Sequence, residues 1–386
     1  MSSVLLLLTA LLFLANLYAL AVVILGARKM RSLAAVPPLS PEKQPLVSVI
    51  VPACNEEATI EPALRTLLAL DYAHLELIVI NDRSTDRTGE ILARLLREHP
   101  RLRVLTISEL PAGWLGKTHA LHRGAGTATG EYLLFTDADI HFETSTLARA
   151  MTLMVEEGLD HLSLIFRNIA SGSLLNAMIT DAGGGLLLLF RPWLAREPKR
   201  KNFMGVGAFN LVRSSAYHAV GGHGAVRMHP IDDIMLGKVI KGAGCRQDCL
   251  SGYDHLQVRW YGSPGEMIRG LMKNIFALFA FRVPLALAAV LLAGLLTVLP
   301  PWGALLFTGW PRLFCLLAVA VRLFSFAWGR RLTGASLGTV PLALLTPYLN
   351  IYIILRGMLT TLANDGIDWR GTHYPLTELR KNPPIL

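Results

Sequence analysis

The sequence predicts an α/β fold, a mostly parallel sheet flanked by helices, with an apolar helix before it and an apolar helical region after it. Three observations carry this expectation. Between Leu46 and Trp260, short runs rich in β-branched residues alternate with longer segments of helical periodicity, the pattern of βαβ units. Hydrophobic residues make up 52% of the 386, and they concentrate at the two ends of the chain. Finally, the apolar run Tyr132–Phe135 stops at two carboxylates, Asp137 and Asp139, separated by one small residue. Alternate residues of an extended chain face one side, and open α/β sheets bind ligands beyond the carboxyl ends of their strands.

The first element is the apolar stretch Val4–Leu25, long enough as a helix to cross a hydrocarbon core. Arg28, Lys29 and Arg31 follow it and no positive charge precedes it, the reverse of a secretory signal peptide. Residues 1–27 are therefore expected to be an uncleaved anchor, with the following domain in the cytoplasm by the positive-inside rule. Residues 28–45 contain Pro37, Pro38, Pro41 and Pro45 and read as a stiff linker. The α/β domain is expected over residues 46–262. Its strands are placed at Val47–Val51, Leu75–Ile80, Val104–Ile107, Tyr132–Phe135 and Leu162–Phe166. Its helices are placed at Ala58–Leu70, Thr85–Glu98, Lys117–Ala128 and Thr146–Glu157.

Residues 263–282 mix Met267, Ile268, Leu271, Ile275 and Phe276 with Arg269, Lys273 and Arg282, which suits a helix lying in a membrane interface. Residues 283–360 hold three further apolar segments, Pro284–Leu299, Leu305–Val321 and Val340–Leu355, the last a span or a re-entrant segment. Arg330 and Arg331 are expected at a turn between the last two. None of the three segments contains an acidic residue, which disfavours an intramembrane ion path. Residues 361–386 form a tail.

Lys and Arg number 37 against 28 Asp and Glu, a net charge of +9 and a pI near 9.6. Part of that surplus flanks apolar runs, which points to anionic lipid headgroups; no aromatic-basic or zinc-finger spacing indicates nucleic acid. The four cysteines, Cys54, Cys245, Cys249 and Cys315, form no C-x-x-C pair and read as reduced thiols facing a cytosol. A dinucleotide fold and a P-loop are poorly supported, because neither G-x-G-x-x-G nor G-x-x-x-x-G-K-[ST] occurs where it would be needed.

The chemistry-bearing segments are Val51-Pro-Ala-Cys-Asn-Glu-Glu57, Asn81-Asp-Arg-Ser-Thr-Asp86, Trp114-Leu-Gly-Lys-Thr-His-Ala120, Thr136-Asp-Ala-Asp139 and His229-Pro-Ile-Asp-Asp-Ile-Met-Leu236. In this order the set resembles the family-2 glycosyltransferases of the GT-A fold, over roughly Val47 to Trp260. The resemblance implies transfer of a sugar from a nucleotide-sugar donor, a UDP-sugar in the usual case, with inversion at the anomeric carbon. It implies that Pro52, Ala53, Asn55 and Glu56 line the nucleoside pocket and that Asp82 contacts the base. Asp137 and Asp139 are then the D-x-D pair that holds Mg²⁺ or Mn²⁺, with Asp139 the direct ligand.

Asp233 matches the family's general base, while Asp232 reads as the helix-capping residue. Lys117 is a candidate for the donor pyrophosphate. Gly205-Val-Gly207 and Gly221-Gly222 resemble the stretch under the acceptor. Arg259 and Trp260 are what remains of a Q-x-x-R-W element whose glutamine position is occupied by Leu256. That departure, with few membrane spans, argues against a processive polysaccharide synthase; a processive polysaccharide or polyprenyl-phosphate sugar synthase is the alternative within the same fold. The segment Gly113–Leu121 is similar to bacterial hopanoid-associated and carotenoid (diaponeurosporenoate-type) glycosyltransferases, and ceramide glucosyltransferases are more distant. The expectation is a multi-pass enzyme of the cell (inner) membrane, acting from its cytoplasmic face on a lipid acceptor such as a hopanoid or carotenoid. A catalytically silent scaffold with the same fold is the alternative of another class.

Overall fold

The computed structural model describes residues 3–382. The chain opens with helix α1 (Ser3–Lys29). Strand and helix then alternate through β1 (Val47–Ala53), α2 (Ile60–Leu68), β2 (Leu75–Asp82), α3 (Thr88–Glu98), β3 (Leu102–Ile107), α4 (Gly116–Ala125) and β4 (Tyr132–Phe135). After them come β5 (His141–Phe142), α5 (Thr146–Glu156), β6 (His161–Ile165), β7 (Arg167–Asn168) and α6 (Ser173–Phe190). The sequence continues through β8 (Asn210–Arg213), α7 (Ser214–Ala219), α8 (Asp232–Gly242), β9 (Gln247–Ser251) and β10 (Leu256–Val258). Helices α9 (Pro264–Leu278), α10 (Val283–Ala293), α11 (Leu299–Leu306), α12 (Gly309–Thr333) and α13 (Thr346–Ala363) follow, then the hairpin of β11 (Gly366–Trp369) and β12 (Thr372–Pro375) and the short α14 (Leu376–Leu379).

These elements form two compact units. One holds residues 30–169 and 192–259, the other residues 3–29, 170–191 and 260–382. The expected uninterrupted stretch 46–262 is thus broken by α6, which groups with the apolar helices. The tail expected at 361–386 carries the β11–β12 hairpin in its described part.

The first unit is built on a seven-stranded sheet of order β3-β2-β1-β4-β8-β6-β9. Pairing is parallel except where β8 runs antiparallel to β4 and β6. Strands β1 and β4 are buried almost throughout, with rows such as Val-Ser-Val-Ile-Val and Tyr-Leu-Leu-Phe inside, as central strands covered on both faces must be. One face packs Ile50, Ile78, Ile80, Leu133 and Phe135 against Ala120, Leu121 and Ala125 of α4 and Leu236 and Ile240 of α8. This aligns the carboxyl ends of β1, β2 and β4 on one edge, with α4 and α8 beginning beside them.

Residues 30–45 are docked rather than a free linker. Arg31 pairs with Glu157 at 2.5 Å, Ser32 bridges Ser251, and Val36 and Leu39 are buried. Proline stiffens the segment, but its apolar residues find the surface of α5 and stay there: Thr152 donates to the Pro37 carbonyl at 2.7 Å.

Among the described residues four helices are long and apolar enough to cross a membrane: Ser3–Lys29, Ser173–Leu194, Val283–Leu306 and Gly309–Arg330. A bent pair, Leu337–Leu344 and Thr346–Ala363 at 58°, forms a broken span or a re-entrant loop. Arg330 and Arg331, expected at a turn, belong to the end of α12, which Gly334 terminates with φ +70°; the side chain of Arg331 lies outside the described residues. The face of α9 that was expected to meet a membrane interface packs instead on protein, with Met267 buried among Leu175, Met178 and Ile179 of α6 and Ile353 of α13.

Helix α6 carries an acid that the three expected segments lack. Asp181 Oδ2 receives Nη2 of Arg322 from α12 at 2.9 Å and Nδ2 of Asn350 from α13 at 2.9 Å. Arg322 Nε also donates to the Ala343 carbonyl at 2.6 Å, just before α13. A broken helix leaves such carbonyls without intrahelical partners, and apolar surroundings make each costly. The ion pair thus stitches the bend to two neighbouring helices.

Candidate active site

Three strand ends and two helix starts build the site. Beyond β4, Asp137 hangs from its backbone N–H, which donates to the Gly207 carbonyl at 3.1 Å. Gly207 in turn donates its own N–H to Asp233 Oδ2 at 2.7 Å. One residue therefore holds the backbone of the first aspartate and the carboxylate of the second. Space is tight: a Cβ on Gly207 would lie 2.7 Å from Asp137 Oδ2 and 3.4 Å from Asp233 Oδ2. A Cβ on Gly205 would overlap the Asp233 carbonyl. The glycines expected beneath an acceptor thus admit the backbone and side chain of the α8 terminus, a close approach only glycine permits.

Asp233 is secured behind. Asn210 Nδ2 donates to its carbonyl at 3.4 Å, and the Asn210 side chain is bonded to His161 Nε2. Gln247 Nε2 donates to His161 Nδ1 at 2.7 Å, so the ring is neutral with its proton on Nε2. Burial pulls the His161 pKa down to about 4.

Asp232 does not cap α8. Ile231 occupies the cap position and gives no side-chain bond. Asp232 is buried and its Oδ1 faces Lys117 Nζ at 3.6 Å, because a charge of opposite sign lies inward of it at the start of α4. Lys117 Nζ is closer still to Asp137 Oδ1, at 2.7 Å. Burial works against the ammonium, yet the carboxylates of Asp137, Asp232 and Asp233 outweigh it and hold Lys117 protonated well above its ordinary range. For the acids the balance is opposite. Burial first, opposed by Lys117 and helped by its neighbours' charge, pushes Asp232 up to about 7 and Asp233 upward. A small cleft is lined by Lys117, Asp137, Gly207, His223, Asp232 and Asp233, among others.

Asp139 reaches the same region. Burial and the carboxylates of Asp137 and Glu56 raise it to about 7. Two hard oxygen donors at one strand end suit a divalent cation, so Asp137 and Asp139 fit Mg²⁺ or Mn²⁺. Among the described residues no three His, Cys, Asp or Glu side chains converge to hold a metal by themselves. Mg²⁺ commonly uses only one or two carboxylates, with substrate phosphates and water.

The loops after β1 and β2 are laced together. Asn55, at φ +56°, accepts the Thr85 N–H at 2.8 Å on Oδ1 and donates its own N–H to Ser84 Oγ at 3.1 Å; the Glu56 N–H donates to Thr88 Oγ1 at 2.8 Å. Pro52 and Ala53 end β1 opposite Ile80 and Asn81. Asp82 is buried, with Arg83 Nε on Oδ1 at 2.8 Å and Nη2 on Oδ2 at 2.9 Å. Arg259 and Trp260 fall on either side of the unit boundary; Arg259 is exposed, and Trp260 stacks on Tyr261 with centroids 5.1 Å apart. His223 and Tyr217, which lie behind Asp232, belong to none of the motifs and could not be singled out beforehand. The adjacent Asp232-Asp233 pair was the one available signal that a second carboxylate faces inward.

Residues 48–221 match the model of Glycosyl transferase family 2, and the chain carries a domain of that family on a GT-A-like scaffold. Over 115 residues it is 36% identical to the beta-monoglucosyldiacylglycerol synthase of Nostoc sp. (strain PCC 7120), a stretch that covers 29% of this chain and 24% of that one. Over 247 residues it is 24% identical to the 4,4'-diaponeurosporenoate glycosyltransferase of Staphylococcus haemolyticus, covering 59% and 60% of the two chains. A mannosyltransferase from Pyrobaculum calidifontis, in complex with GDP-Man and Mn²⁺, superimposes with a TM-score of 0.58 at 20% identity, over 90% of this chain and 99% of the other. The chain spans only about a quarter to three fifths of the curated relatives' lengths.

Proposed function

We propose that the protein is a metal-dependent inverting glycosyltransferase that moves one sugar from a nucleotide-sugar, a UDP-sugar, to a membrane lipid from the cytoplasmic side of the membrane. The observation that carries this reading is the meeting of Asp137 and Asp233 around Gly207, from elements almost a hundred residues apart in the chain. An acceptor hydroxyl is a weak nucleophile until a positioned carboxylate removes its proton, an effect of about 10²–10⁴ in rate. Asp233 is assigned that role; burial raises its proton affinity, which makes it a better base once ionised. Asp137 and Asp139 would hold Mg²⁺ or Mn²⁺, which when bound supplies Lewis-acid neutralisation of the leaving diphosphate.

Asn55 and Glu56 shape the nucleoside end, through loops fixed to the end of β2. Asp82 would share its carboxylate between Arg83 and the base. Lys117 adds a positive charge beside the diphosphate. Arg259 and Trp260 are assigned to the donor as well. A lipid acceptor is supported by the apolar helices that flank the domain and by the lipid substrates in the names of two relatives. A hopanoid or carotenoid is the acceptor class tested first. The basic residues after α1, Arg28, Lys29 and Arg31, support a cytoplasmic catalytic unit in the inner membrane.

The test uses the full chain in lipid vesicles with a panel of UDP- and GDP-sugars, reading nucleoside diphosphate release and the mass of glycosylated lipid. Release is expected only with Mg²⁺ or Mn²⁺, and Asp139→Ala is expected to abolish it. Undiminished release in excess EDTA would overturn the assignment of metal dependence, and absence of any sugar-bearing lipid would overturn the acceptor class.

A further inference from the structure

Lys117 occupies an awkward position for an enzyme that binds a divalent cation on Asp137. Its ammonium already takes Asp137 Oδ1, at 2.7 Å. Two cations sharing one carboxylate repel each other strongly in a half-buried site, so Lys117 must leave Asp137 when the metal arrives. The neighbourhood provides a destination. Asp232 Oδ1 lies 3.6 Å from the same ammonium, so a small swing of a flexible side chain converts the longer contact into a close pair.

Behind Asp232 lies a buried His–Tyr pair. The His223 backbone N–H donates to the Tyr217 hydroxyl at 3.1 Å. The same hydroxyl lies 2.9 Å from His223 Nδ1, which fixes the ring from that side. Nε2 faces Asp232 Oδ2 at 3.9 Å. His223, Tyr217 and Asp232 are all buried. The arrangement leaves Asp232 Oδ1 directed at Lys117, with no other ion pair from it among the described residues.

We propose that Lys117 stands in for the divalent cation on Asp137 when the metal is away, and that Asp232 is the positioning residue that receives Lys117 when the metal binds. This rests on the assignment of Asp137 as a metal ligand. It makes Asp232 favour metal binding only through Lys117, rather than as one more negative charge.

The experiment titrates Mn²⁺ into the full chain in detergent micelles, without nucleotide so that no diphosphate contact of Lys117 enters, and follows free Mn²⁺ by electron paramagnetic resonance. Removing the competitor in Lys117→Met is expected to tighten Mn²⁺ binding, and removing the destination in Asp232→Asn to weaken it, each by about tenfold, the equivalent of about 1.4 kcal/mol. The double variant Lys117→Met/Asp232→Asn is expected to bind as tightly as Lys117→Met alone. Circular dichroism of each variant identifies any that fails to fold, and Asp232→Ser, which also removes the charge, then replaces Asp232→Asn with the same expectations. If Asp232→Asn weakens binding equally with and without Lys117, Asp232 acts as a direct charge and the proposal is overturned. If Asp139→Ala binds Mn²⁺ as the wild type does, the metal site itself is misplaced and this proposal falls with it.

Discussion

Gly207→Ala tests the site with one added methyl group. The new Cβ would lie 2.7 Å from Asp137 Oδ2, where ordinary contact begins at 3.4 Å. Gly207 does not need the left-handed backbone region, being absent from the positive-φ glycines among the described residues, so the backbone accepts alanine and the carboxylate must yield. The displacement required is about 0.7 Å, and a misplacement of about 1 Å at a reacting centre can cost about 10²-fold in rate. Turnover is therefore expected to fall about 10- to 100-fold. Asp137 is 37% exposed at its side chain and can move toward solvent, which keeps the stability loss near 1 kcal/mol, the low end for overpacking. The assay measures nucleoside diphosphate release at saturating donor and metal, beside thermal melting by circular dichroism. Wild-type turnover in a folded Gly207→Ala protein would refute the claim that Asp137 and Asp233 act at this separation.

Other outcomes follow from the same geometry. Asp233→Asn keeps the shape of the site but removes the base, so turnover should fall about 10²–10⁴-fold while donor binding by calorimetry stays near wild type. Breaking the Asp181–Arg322 pair, whose side chains are 16% and 12% exposed, by Asp181→Leu should cost about 3–5 kcal/mol, read as melting in detergent, and adding Arg322→Met should recover part of it. Acid should destabilise the α/β unit through His161, whose pKa is about 4 when folded against an ordinary 6.5. The unfolded chain takes up a proton below about pH 6.5 that the folded chain refuses, so this stability is complete above that value and declines as pH falls, by about 2 kcal/mol at pH 5. His161→Gln should flatten the fall of melting temperature between those values, and an unchanged slope would contradict the assignment.

The positions of the strands could be foreseen where they were short, apolar and followed by helices, as at Val47–Val51 and Tyr132–Phe135, because β-branching and burial on both faces leave few other solutions, whereas their order in the sheet could not. Helix α6 was not foreseen. Asp181, Asn176 and Gly183–Gly185 depress both hydropathy and helix propensity, and the partners that offset Asp181, Arg322 and Asn350, lie more than a hundred residues away. The same limit hid the role of Asp232. Next to a helix start an aspartate reads as a cap, and only the fold brings Lys117, from a different strand–helix junction, within 3.6 Å. The prolines of residues 28–45 suggest stiffness, but stiffness does not reveal the surface on which Val36 and Leu39 settle. By contrast the place of Asp137 just beyond the end of β4, and of the Asp232-Asp233 pair at the start of α8, was legible, since a strand end and a helix start are local features.

The most direct measurement is a structure of the full chain with a UDP-sugar and Mn²⁺. The account predicts the ion on Asp137 and Asp139 against the diphosphate, Lys117 moved to Asp232, and the Asp233 carboxylate open on the far side of the anomeric carbon. A nucleotide bound away from the carboxyl ends of β1, β2 and β4, or an ion held without either aspartate, would contradict it.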